Sequence, residues 1–221
     1  MALSLPAKLI KLEFFLRRLV GQNAQDEFSR RYWEARYRWG GDSGKGSRGD
    51  IAARKAEFVN AFCREYGVSS LVELGSGDGV CASQIKVDQY LGLDLSQDAV
   101  LRARRRISAP THRFLAIPGD SPEAIVAKVK LHHGGNLPQV SLSMDVILHL
   151  VEDSVYEAYL KTLFAISARY IVVFSSDADG PDEVHVRHRA YARRFMADFA
   201  VRQIAAHGDG MPAHFKIFEK L

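Results

Sequence analysis

From residue 51 onward the chain alternates between two hydrophobic periods, and this alternation restricts its fold more than any other feature. IAARKAEFVNAFCREYG places Ile51, Phe58, Val59, Phe62, Cys63 and Tyr66 on one helical face, and Gly67 ends that helix. SSLVELG is a short apolar strand that runs straight into a glycine-rich turn. QYLGLDLS predicts a second strand and SQDAVLRARRRI a helix capped by Ser96. THRFLAIPGD predicts a third strand, followed by PEAIVAKVKLHH as a helix, with His132 and His133 solvated on the way into the fourth strand. PQVSLSMDV is that fourth strand. SVYEAYLKTLFAIS then carries a helical stripe of Val155, Tyr156, Tyr159, Leu160, Leu163 and Phe164. RYIVVFSS is continuous enough for a buried central strand. HVRHRAYARRFMADF reads as a further helix, and VRQIAA and FKIFEKL, separated by the turn residues GDGMP, as a closing antiparallel pair. Strands alternating with helices predict an α/β fold, a doubly wound and mostly parallel seven-stranded sheet with a closing antiparallel strand pair.

The N-terminal part is different in character. Residues 1–55 hold 12 Lys and Arg against 6 Asp and Glu, whereas the remainder holds 18 against 20. The basic surplus of the chain therefore belongs to this segment, which suits either an anionic partner or a solvated basic face. Residues 3–20, LSLPAKLIKLEFFLRRLV, are interrupted by Lys8, Lys11, Arg17 and Arg18, so they cannot span a membrane, and they lack the form of a secretory signal. Leu9, Leu12, Leu16 and Leu19 recur at helical spacing. The result is a basic amphipathic helix suited to peripheral membrane contact, to packing on its own domain or to a second subunit in a homodimer. Two cysteines, Cys63 and Cys81, make neither a disulfide framework nor a metal-ligand spacing, and a cytoplasmic location follows. The expected division is an amphipathic helix over 1–22, a basic aromatic and glycine-rich helical lid over 23–55, and the main domain over 56–221.

The functional question sits in VELGSGDGV, residues 72–80. In an open α/β sheet the ligand lies at the carboxyl ends of the strands, where this turn falls. A dinucleotide fingerprint starting at Gly75 requires glycine at position 80, which is Val80. A phosphate-binding loop requires a lysine that is not there, and SGKGS at 43–47 has the wrong spacing and no strand before it.

The stretch does match E-x-G-x-G-x-G, and here the sequence resembles the class I S-adenosylmethionine (SAM) methyltransferases over roughly residues 60–220. The resemblance implies that Gly75, Ser76, Gly77 and Gly79 bring backbone close to the methionyl part of the cofactor, with Glu73 toward its amino group. It implies that Asp94, 21 residues beyond Glu73 in GLDLS, accepts the ribose hydroxyls beside Leu95, and that Asp120 in PGDS meets the adenine. A carboxylate suits the ribose because it accepts two hydrogen bonds at once. SMDVILHLVED is similar to the segment after the fourth strand of ubiquinone-biosynthesis-like methyltransferases, which puts Asp145 and His149 at the reaction centre. A narrower similarity, to a bacterial subgroup of largely unassigned substrate, runs through residues 31–62 and HVRHR. It implies a lid whose Tyr32, Trp33, Arg36 and Tyr37 face the acceptor, with Gly40, Gly41, Gly44, Gly46 and Gly49 allowing a mobile or tightly turned loop.

Lys55, facing the open end of the sheet, suits the cofactor carboxylate. His185, His188 and Arg189 fall at the rim where this fold receives its acceptor; two histidines three apart on a helix can share a ligand, but no third metal ligand accompanies them. The expected chemistry is methyl transfer from SAM to a small-molecule or glycan-like acceptor, anionic if the basic segment meets it, at oxygen. His149 serves as base and Asp145 orients it or the acceptor. The alternatives are an RNA or protein methyltransferase, although no nucleic-acid module or base-methylation motif is present, and a non-catalytic SAM-binding regulator.

Overall fold

A computed structural model describes residues 28–180, 184–207 and 214–221, together with Leu9 and Leu12. The amphipathic helix expected over 1–22 and the turn GDGMP therefore lie outside the described residues, apart from Leu9 and Leu12, which are helical and exposed.

Seven strands form one sheet: β1 (Ser70–Leu74), β2 (Gln89–Asp94), β3 (His112–Ala116), β4 (Val140–Met144), β5 (Tyr170–Ser175), β6 (Val201–His207) and β7 (His214–Lys220). Their order is β3-β2-β1-β4-β5-β7-β6. The first five strands pair in parallel, while β7 runs antiparallel to both β5 and β6. The predicted doubly wound sheet and its closing pair are both present. The helices among the described residues are α1 (Phe28–Arg38), α2 (Gly49–Glu65), α3 (Gln97–Arg106), α4 (Pro122–His132), α5 (Asp153–Ala165) and α6 (Tyr191–Asp198).

Strand side chains alternate between two cores, as the twofold period of a strand requires. Tyr170, Val172 and Phe174 of β5 face a core that α2 and α3 close with Val59, Phe62, Val100 and Ala103. Ile171 and Val173 face the opposite core, closed by Ile125, Val129, Tyr156, Leu160, Leu163 and Phe195 from α4, α5 and α6. Ser96 and Ser121 cap α3 and α4 through the N–H groups of Ala99 and Ala124. Among the described residues, no helix is long and apolar enough to cross a membrane.

Three local expectations need correction. The helix expected over HVRHRAYARRFMADF begins only at Tyr191. Residues 184–190 are stitched to other parts of the chain instead: Arg187 N–H donates to the Leu148 carbonyl at 2.8 Å and Ala190 N–H to Asp179 Oδ1 at 3.2 Å. Tertiary partners thus claim donors that a helix would have used. Second, Ile51 is 38% exposed; α2 starts two residues before it, and the buried face runs through Ala52, Lys55, Ala56, Val59, Phe62 and Cys63. Third, His133, expected to be solvated, is half-buried as the cap of α4, its Nδ1 lying 3.0 Å from the Val129 carbonyl, whereas His132 in the last turn is exposed as expected.

Candidate active site

At the carboxyl end of β1 the chain reverses through Gly75, Gly77 and Gly79, with φ of 86°, 60° and 79°. These left-handed values are costly for any residue with a Cβ. The turn folds onto the end of β2: Gly75 and Ser76 donate to the Leu93 carbonyl at 2.7 and 2.9 Å, and Gly77 N–H donates to Asp94 Oδ2 at 2.8 Å. The other oxygen, Asp94 Oδ1, accepts from Ser96 N–H at 2.8 Å. One backbone donor per oxygen leaves each with a further lone pair. Burial pushes the Asp94 carboxyl up to about 6, against the pull of those two N–H groups. Glu73 is also buried, and its carboxyl is pushed up to about 7 although the Tyr90 hydroxyl donates to it and Lys55 lies near.

The turn leads into a single 3₁₀ turn at Ala82–Gln84 rather than into an α-helix. It therefore presents no α-helix N-terminus, the element that holds a pyrophosphate in dinucleotide-binding sheets. Glu73, Asp78, Asp94, Asp120 and Asp145 all line the same cavity, of about 440 Å³. Asp78, Asp120 and Asp145 pair with Arg48, Lys128 and Lys55, so Glu73 and Asp94 are the carboxylates of this wall without an ion-pair partner among the described residues, and a carboxylate wall disfavours phosphate. Ser76 Oγ, also in this wall, is buried with no hydrogen-bond partner among the described residues.

The β4 exit, which packs beside the glycine turn so that a Cβ on Gly75 would meet Val146 Cγ2 at 2.5 Å, and α1 build the rest of the cavity wall. Asp145 adopts φ 57° and accepts from Lys55 Nζ at 2.8 Å. Lys55 is 1% exposed and is held by α2. Asp145 thus pairs with Lys55, and the expected orienting of His149 falls instead to a backbone group: His149 Nδ1 lies 2.9 Å from the His185 carbonyl. A carbonyl only accepts, so Nδ1 carries the proton and Nε2 carries the lone pair of the neutral ring. His149 is flanked by Trp33, edge-on with centroids 5.0 Å apart, and by His185, stacked at 5.6 Å. The start of α1 is tied to the same loop: Ser29 N–H donates to Glu152 Oε1 at 2.8 Å, and Ser29 Oγ donates to the His149 carbonyl at 2.9 Å.

The cavity brings together Lys55, Glu73, Gly75, Ser76, Gly77, Asp94, Leu95, Asp120, Asp145, His149, Trp33 and Tyr37. The other expected site residues, Gly79, Tyr32, Arg36, His185, His188 and Arg189, do not line it. Gly79 packs on α3, where a Cβ would come within 3.0 Å of Ala103 Cα. Tyr32 is buried and meets Trp33 edge-on at 5.4 Å. Arg36 donates to the Asp42 carbonyl at 2.5 Å, and its guanidinium lies 5.5 Å from the Trp33 ring centroid. His188 Nδ1 is 2.7 Å from Ser176 Oγ, and Arg189 pairs with Asp153 at 3.0 Å and reaches the Leu150 carbonyl. Among the described residues, no three His, Cys, Asp or Glu side chains converge as metal ligands.

No family profile and no curated protein matches this sequence. Solved structures do. The N-methyltransferase NodS from Bradyrhizobium japonicum, in complex with S-adenosyl-L-homocysteine (SAH), superposes with a TM-score of 0.63 at 13% identity, covering 87% of this chain and 98% of that one. A SAM-dependent methyltransferase from Anabaena variabilis gives 0.62 at 15% identity, over 87% and 93%. The magnesium protoporphyrin IX methyltransferase of Synechocystis, with bound SAH, gives 0.59 at 14% identity, over 93% and 100%. The fold is that of the SAM-dependent methyltransferases.

Within this methyltransferase fold the sequence pattern does not point to Asp78, Ser43, Arg48, Ser29 and Glu152, which fasten residues 28–48 to the glycine turn and to the β4 exit. Asp78 carries a signal, being an acid inside the glycine turn itself. Ser29 and Glu152 are 123 positions apart and carry none.

Proposed function

We propose that this chain is a SAM-dependent methyltransferase acting at oxygen on a small-molecule or glycan-like acceptor. The observation that carries the cofactor reading is the acidic glycine turn: left-handed glycines after β1, no α-helix N-terminus behind them, and Asp94 with one lone pair to spare on each oxygen. Ser76 Oγ supplies a hydroxyl in want of a partner in the same wall. These residues fit a ligand with a ribose and a cationic centre and no phosphate. By this reading Asp94 holds the ribose, Asp120 lies toward the adenine, and Lys55 and Glu73 bracket the amino-acid end.

When bound, SAM supplies an electrophilic methyl group on a sulfonium sulfur. The residues around it hold the acceptor oxygen in line with that carbon, which is the main source of rate in such a displacement. His149 takes the acceptor hydroxyl proton on Nε2 as the oxygen–carbon bond forms. SAM would supply the leaving group as well, since the electrons of its carbon–sulfur bond would stay on a neutral thioether. Trp33 and Tyr37 give the acceptor an aromatic wall, consistent with a ring-shaped or glycan-like substrate.

Calorimetry with SAM, SAH and NAD tests the cofactor reading. SAM and SAH should bind and NAD should not. Asp94→Asn, which replaces one accepting oxygen by a donor, should weaken SAH binding about tenfold or more. NAD binding, or indifference to all three ligands, would sink the proposal. A screen of extracts with labelled SAM then identifies the acceptor.

A further inference from the structure

The connection between α1 and α2 is fastened to the glycine turn by one carboxylate. Asp78 is 2% exposed. Its Oδ1 accepts from Ser43 Oγ at 2.9 Å, and its Oδ2 accepts from the Arg48 guanidinium. Its N–H donates to Ser43 Oγ at 3.2 Å, and its carbonyl accepts from Arg106 Nε at 3.1 Å. Ser43 Oγ also lies 2.8 Å from the Tyr37 hydroxyl. Arg48 reaches Asp42 at 3.4 Å, and Asp42 in turn pairs with Arg36 at 3.2 Å and accepts from Gly44 N–H at 2.9 Å.

The glycine turn is shaped for this contact. A Cβ on Gly77 would overlap Ser43 Oγ and come within 3.0 Å of the Tyr37 hydroxyl. The middle glycine is therefore imposed by residues 37–43 lying over it, in addition to its left-handed φ. The same Gly77 donates its N–H to Asp94, so the fastening and the ribose-side carboxylate are joined through adjacent residues. Tyr37, Ser43 and Ser47 cover the cavity whose floor is Gly75, Ser76 and Gly77.

We propose that Asp78, through Ser43, Tyr37 and Arg48, latches residues 41–48 over the cofactor cavity and sets how fast cofactor enters and product leaves. The proposal rests on the reading of this cavity as a SAM site. Two features make the fastening a latch rather than a permanent weld. Its contacts are polar: on opening, Asp78 and Arg48 exchange each other for water, so the Coulomb energy lost is largely returned as hydration. Gly40 and Gly49, at φ 84° and 51°, bracket the segment, and a Cβ at either would meet no described atom within 4 Å. They give the segment unhindered points of rotation.

The test uses Ser43→Ala and Asp78→Asn in the full chain, with two readouts. The first is the dissociation rate of SAH by stopped-flow displacement. Losing a hydrogen bond to a charged group should speed dissociation about tenfold. The second is hydrogen exchange in the cofactor-free protein at the amides of Gly44, Ser47 and Arg48, which should accelerate by a similar factor. Arg48→Lys, which keeps the charge but not the fork, should fall between wild type and Asp78→Asn. Should Asp78→Asn fail to fold, Ser43→Ala, which removes only a hydroxyl, carries the test. Folded variants with wild-type exchange and wild-type SAH dissociation would overturn the latch. Faster exchange in a protein that binds no SAH would support the latch and refute the cofactor reading instead.

Discussion

Lys55 donates to Asp145 Oδ2 at 2.8 Å from a side chain that is 1% exposed, whereas the Asp145 side chain is 23% exposed. The asymmetry decides what each substitution costs. Asp145→Asn keeps the shape, tolerates the left-handed backbone and leaves a buried ammonium without its counter-charge, which should destabilise the fold by about 3 kcal/mol. Lys55→Met leaves the carboxylate within reach of water and should cost clearly less. Denaturant unfolding of the two variants measures the difference, and equal losses would mean that water reaches Lys55 as readily as it reaches Asp145.

Gly79 gives a second prediction, on stability alone. It has φ 79°, and a Cβ there would lie 3.0 Å from both Ala103 Cα and Ala103 Cβ. The neighbour is helix backbone rather than a flexible side-chain tip, so it cannot swing aside. Gly79→Ala should destabilise by roughly 1–3 kcal/mol, combining backbone strain with overpacking. A melt indistinguishable from wild type would show that α3 can shift to make room.

How much of this is legible in the sequence follows from the range of each interaction. The seven strands and the capping of α3 are readable because period and caps are local: runs of apolar strand residues, and Ser96 just before a helical pattern. The glycine turn and Asp94 are readable through the family resemblance they carry at the ends of two adjacent strands, and with Lys55 they line one cavity. The departure of residues 185–190 from a helical pattern is not legible because they carry no local stop signal, and the groups that take the Arg187 and Ala190 N–H, the Leu148 carbonyl and Asp179, lie elsewhere in the chain. The pairing of Asp145 is hidden for the same reason. Asp145 is four residues from His149 but 90 from Lys55, and it is Lys55 that it bonds.

Glu73 should make stability depend on pH with an unusual sign. Burial raises its folded value to about 7 from an unfolded value near 4.5, so between these limits the folded protein holds a proton that the unfolded chain has lost. The stabilisation is therefore complete below about pH 4.5 and is lost as pH rises through about 7, a total on the order of 3 kcal/mol. Asp94, raised to about 6, adds to the same trend over a slightly lower range. Glu73→Gln should remove most of the slope when unfolding free energy is measured from about pH 4.5 to 8. A slope unchanged in that variant would place the proton elsewhere.

The last prediction separates catalysis from cofactor binding at His149. Its ring sits at the exit of β4 in the cavity wall, while Asp94 and the glycine turn lie at the end of the cavity set by β1 and β2. The His185 carbonyl fixes the proton on Nδ1, so Nε2 is the basic nitrogen, and the packing of Trp33 and His185 limits rotation of the ring. By the proposed role, His149 would act only as the acceptor gives up its proton, and such a base contributes roughly 10²–10⁴-fold to the rate. His149→Gln should lower kcat by that order once an acceptor is in hand, remove the acid limb of the kcat profile and leave the SAH dissociation constant within about twofold of wild type. A substitution at Val186 offers a control on the tautomer argument: Val186→Pro, by disturbing the backbone next to the His185 carbonyl, should lower kcat without touching the ring itself. If His149→Gln retains wild-type kcat and raises only the acceptor KM, His149 binds the acceptor and some other group in this cavity takes the proton.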